Sequence, residues 1–143
     1  MTYHRGHPLT VARHEALLSP LPPSQAHLPV NTRWLRARAE LFREAAERSF
    51  ALTFDTARYA EATGVLFHPH YVAQVYRGEE DARLETPLMV VNLAQVPTRA
   101  DADRVLAHEC MHLRVPSYGH KKIAFACAQE ILDQVASLTP TAT

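Results

Sequence analysis

The chain has 143 residues, enough for one domain with a real core, and an ordinary globular composition of 47% hydrophobic and 21% charged residues. Fifteen Lys and Arg against fifteen Asp and Glu give a formal net charge of zero, which removes the simplest electrostatic case for a nucleic-acid binder. No apolar run of about 18 residues marks a membrane span, and the first residues lack the continuous apolar stretch of a secretory signal. Two cysteines, Cys110 and Cys127, make no disulfide framework, so the expected compartment is the cytoplasm, with no membrane partner.

Residues 1–30 differ from the rest. They hold Pro8, Pro20, Pro22, Pro23 and Pro29 among His4, His7, His14 and His27. Between the prolines, Leu9 to Leu18 has room for one short helix. The segment reads as an extended arm, either laid along the body or acting as a prosegment-like cover whose histidine or backbone blocks a cleft. Residues 31–138 form the expected domain, and residues 139–143 a frayed tail. Residues 31–49 read as the first firm helix, capped by Asn31 or Thr32, with Trp34, Leu35, Leu41, Phe42, Ala45 and Ala46 on the core face. Arg33, Arg36, Arg43 and Arg48 are expected on a solvated face, with Glu44 and Glu47 as partners.

Strand signals follow. Phe50 to Phe54 alternates, and Gly64–His68 and Tyr71–Tyr76 are expected to form a hairpin about Pro69-His70. Ala57 to Ala62 fits a helical turn between them. Leu88 to Leu93 is a nearly continuous apolar run of the buried-strand type. His68 and His70 are either turn histidines or, one of them, a group facing a cleft.

The chemistry gathers in Arg104 to Phe125, RVLAHECMHLRVPSYGHKKIAF, which contains His108-Glu109-Cys110-Met111-His112. On a helix, His108 and His112 lie one turn apart on one face and can converge on a metal ion. Glu109 stands beside that face, where it can hold and deprotonate a water on the metal. Thr98-Arg-Ala-Asp101 fits a capping-box start, Asp101 and Asp103 suit the helix dipole, and Pro116 terminates the helix. Pro116 to Gly119 reads as a turn that brings His120 back as third ligand, leaving one open position on zinc. Ile123, Cys127, Ile131 and Val135 then repeat at helical spacing to about Ser137, with Cys110 and Cys127 as small core residues.

A buried strand ending in Val-Asn-Leu, then Val-Leu-x-His-Glu-x-x-His-Leu-Arg-Val, Pro-x-x-Gly-His and a Phe five residues on resembles the SprT-like and WLM-type small zincin metallopeptidases. The likeness covers roughly residues 85–130. It implies an α+β fold, with a mixed sheet of three to four strands packed on the HExxH helix and flanking helices. It implies Zn2+ on His108, His112 and His120, with Glu109 as general base. It also implies a protein or peptide substrate added to an edge strand, here Tyr71–Tyr76. Tyr118 is a candidate donor to the oxyanion, or a turn residue packing its ring on the cleft wall. A gluzincin arrangement would instead use Glu130 as third ligand. Two rival functions are a metal-dependent endoribonuclease similar to the YbeY type and a non-enzymatic zincin-fold binding or regulatory module. Glu109 directly after His108 favours the peptidase.

Overall fold

The computed structural model describes residues 2–3, 14–77, 84–116 and 122–138. Within them lie strands β1 (Thr2–Tyr3), β2 (Ala51–Thr53), β3 (Ala73–Tyr76) and β4 (Leu88–Val91). The helices are α1 (Pro23–Ala26), α2 (Thr32–Ala46), α3 (Thr56–Thr63), α4 (Arg99–Arg114) and α5 (Lys122–Leu138). The fold is mixed α+β, as expected. His4, His7, the tail from residue 139 and most of the helix expected at Leu9–Leu18 lie outside the described residues.

Local chemistry sets the helix starts. The Asn31 side chain accepts from Trp34 N at 2.8 Å, and Asp55 accepts from Arg58 N at 3.0 Å. Thr98 Oγ1 accepts from Asp101 N at 3.2 Å and donates to the Asp101 carboxylate at 2.8 Å. The capping box is therefore half realised: the cap forms, and Asp101 holds the hydroxyl. α4 stops at Arg114, two residues before Pro116.

The sheet order is β1-β3-β4-β2. β4 is central, parallel to β2 with Leu52 opposite Met89, and antiparallel to β3 with Val75 opposite Met89. Its side chains alternate as a pleat requires. Met89 and Val91 enter the main core with Leu52, Ala73 and Val75, while Val90 joins Tyr59 and Phe67 in a smaller cluster. The main core also takes Leu35, Phe42, Leu106, Ile131 and Leu132 from α2, α4 and α5. α4 packs against α1, α2, α5 and β3, so almost every residue from Ala102 to Leu113 is buried.

Two expectations are corrected. Gly64–His68 is not a strand. Gly64 caps α3 in the left-handed region (φ 73°), and Tyr71 N donates to His68 O, so the segment turns rather than pairs. Asn92 Nδ2 fixes that turn by donating to Pro69 O and Tyr71 O. Ile123 is 54% exposed, because the buried stripe of α5 is centred on Ala124, Ala128 and Ile131 and Ile123 lies at its rim. Asp103, near the start of α4, is fully buried. It accepts a bidentate pair from the buried Arg38, at 2.7 and 2.8 Å, and a hydrogen bond from Ser19 Oγ at 2.6 Å. Arg33, Arg36 and Arg48, expected on a solvated face of α2, are exposed, and Arg43 is half-buried. Among the described residues, no helix is long and apolar enough to cross a membrane.

The Arg38–Asp103 pair ties α2 to α4. Asp103→Ala leaves the guanidinium buried without its counter-charge and is expected to cost about 3–5 kcal/mol of unfolding free energy. Arg38→Met/Asp103→Leu, which buries no charge, is expected to recover most of that loss in urea unfolding.

Candidate metal centre

α4 carries the site because its middle turns are buried on all sides. His108, Glu109 and His112 are fully inaccessible to solvent. The i, i+4 spacing brings the two imidazoles together with their ring centroids 4.7 Å apart and planes at 82°. His108 Nε2 and His112 Nε2 lie 3.1 Å apart. Two nitrogens ligating one zinc at ~2.0–2.1 Å in tetrahedral geometry would be roughly 3.3 Å apart, so the pair is already spaced for a shared ion. Ligand atoms of His108, Glu109 and His112 all fall within 4.8 Å of one another, and this group can bind a metal ion.

Glu109 supplies the second sign of a metal centre. Both its carboxylate oxygens are buried, and neither has a hydrogen-bond partner among the described residues. A buried carboxylate in that state is costly unless a cation or a proton completes it. Burial pushes its pKa up to about 8, opposed by the positive charge of Arg77. Cys110, adjacent in sequence, has its thiol pKa raised by burial first and by the charge of Glu109 second. It is therefore a packed thiol rather than a nucleophile, and neither cysteine forms a disulfide.

Two further rings touch His108. Phe125, the aromatic of the sequence motif, stands 5.7 Å away by centroids. His14 comes from the proline-rich arm, is 5% exposed, and meets His108 edge-on at 5.6 Å. No spacing rule links residues 14 and 108, so sequence alone gave no signal that this histidine, among the four in the arm, would reach the centre.

The structure thus brings together His108, Glu109 and His112. His120 and Tyr118 lie outside the described residues. Glu130 is exposed on the outward side of α5, where it lines a surface depression with Arg114, Asp133 and Gln134. That position argues against the gluzincin arrangement, since α5 turns Ala128, Ile131 and Leu132 inward instead. His68 and His70 are exposed and stack on each other, with Tyr71 edge-on to both, as turn histidines. No known family model, curated protein or solved structure matches the chain.

The buried carboxyl makes a prediction for the metal-free chain. Glu109 has a folded pKa of about 8, raised from 4.5. The folded state therefore holds its proton more tightly than the unfolded state. The associated stability is complete below pH 4.5 and is lost as pH rises towards 8. Glu109→Gln is expected to raise the thermal midpoint of metal-stripped protein at pH 8 much more than at pH 4, as read by circular dichroism.

Proposed function

We propose that the chain is a zinc-dependent metallopeptidase. The observation that carries this reading is the fully buried Glu109 carboxylate, without a hydrogen-bond partner among the described residues, beside two imidazole nitrogens 3.1 Å apart. A structural helix has no use for that combination. His108 and His112 would hold the ion, with His120 as the third ligand by resemblance to the small zincins. Three imidazoles suit zinc and leave one coordination position open. Zinc bound there supplies a Lewis acid for a carbonyl oxygen and lowers the pKa of a water towards ~7.

The remaining work falls to the chain. Glu109 accepts the proton of the attacking water and passes it to the leaving amine. Burial raises the Glu109 pKa in the metal-free chain, and a cation held by His108 and His112 would draw it back towards the ionised form that a base requires. Low solvent access around the three residues strengthens each electrostatic interaction within the site. Tyr118 is proposed as a donor to the developing oxyanion.

The test is metal content with turnover. The purified chain is expected to hold one zinc and to cleave an unfolded protein such as casein. Glu109→Gln should keep the zinc and lose hydrolysis by about 10²–10⁴-fold. His108→Ala and His112→Ala should lose the ion. His120→Ala should bind it weakly; full retention would move the third ligand elsewhere, with His14 the first to examine. Cleavage of RNA with casein untouched would replace the peptidase with a ribonuclease.

A further inference from the structure

The residues of the metal centre have no exposed surface, yet a polypeptide must present a carbonyl to Glu109. Of the rings on His108, Phe125 belongs to α5, whose inner face is part of the core, whereas His14 belongs to the arm. The arm is clamped just beyond His14. Leu17 is buried in the core, and Arg104 Nε donates to Leu17 O at 2.9 Å. Leu18 N donates to Gln129 Oε1 at 2.8 Å, Leu18 O accepts from Gln129 Nε2 at 3.3 Å, and Ser19 reaches the buried Asp103.

Beyond His14 in the other direction, the same arm appears at the sheet. The backbone of Thr2 and Tyr3 pairs antiparallel with β3, Thr2 opposite Gln74 and Tyr3 opposite Ala73. β4 occupies the other side of β3, and β3 packs directly on α4. Without β1, β3 would be the sheet edge next to the metal centre. Such an edge recognises extended polypeptide of any sequence, because the ladder uses main-chain groups. Two residues make a short strand, well below the usual five or six. An incoming strand able to pair along all four residues of β3 can form a longer ladder than the resident does.

We infer that the chain's own Thr2–Tyr3 is a built-in competitor that occupies the β3 edge against the extended polypeptide that the peptidase reading expects there. The polypeptide nature of the incoming strand rests on the peptidase reading; the resident strand does not. The arm thereby restrains the centre at two places, the sheet edge and the ring against His108, while residues 17–19 stay fixed.

The test uses the full chain, loaded with zinc and carrying Glu109→Gln so that nothing is cleaved. Labelled β-casein serves as the unfolded probe. Thr2→Pro/Tyr3→Pro removes both backbone N–H groups of the resident strand, since proline has no N–H. Thermal unfolding checks that the fold persists. The double variant is expected to bind casein at least tenfold more tightly, with casein slowing amide hydrogen exchange across residues 73–76. Unchanged affinity, or tighter binding with no protection at β3, overturns the inference. The same double variant with Glu109 intact reports separately on catalysis. Casein bound at β3 but never cleaved would uphold the strand site and remove the peptidase.

Discussion

Burying a carboxylate and two imidazoles in the middle of the central helix is the constraint on which the rest of the molecule depends. A helix enclosed by α1, α2, α5 and β3 should be apolar throughout, and α4 is not. The polar groups are tolerated because they converge. His108 and His112 face each other, Glu109 stands beside them, and the apolar residues Val105, Leu106, Met111 and Leu113 fill the other directions. The Glu109 carboxyl placed here raises the cost of folding unless a cation or proton completes it. The convergence of His108, Glu109 and His112 is what makes this group able to hold a metal ion.

The second buried charge system, Arg38 with Asp103, has a different character. Its hydrogen bonds are complete: both carboxylate oxygens of Asp103 are engaged by the guanidinium, and Ser19 adds a third donor. It joins α2, α4 and the arm at one point. A satisfied pair of this kind fixes geometry without inviting a ligand. The contrast with Glu109, whose carboxylate has no hydrogen-bond partner among the described residues, separates a structural ion pair from a candidate site.

The arm gains meaning from this geometry. Its prolines prevent it from forming long regular structure. Its anchors are nevertheless specific, running from Leu17 in the core through Ser19 on Asp103 to Arg99, which bonds Leu28 O, Pro29 O and Gln25. A segment that reads as a loose extension is held against the helix bearing the centre. It is bound where α4 and α5 present side chains that meet backbone groups otherwise lost to the prolines.

The sequence by itself determined the elements whose signals are local. Asn31, Asp55 and Thr98 cap their helices through their own side chains, and Pro116 ends α4. The period of four in His108 and His112 places two imidazoles on one face whatever surrounds them, and the apolar run at Leu88 became the central strand. Tertiary structure alone decided what depends on residues far apart in the chain. It turned Gly64–His68 into a loop, because Asn92 holds the carbonyls of Pro69 and Tyr71. It buried Asp103 against Arg38, 65 positions away, and set His14 on His108. It also gave the edge of β3 to Thr2–Tyr3. Periodicity and capping are short-range forces that a sequence displays directly. The choice of partner for a buried charge, a ring or a strand edge is made by the packed whole.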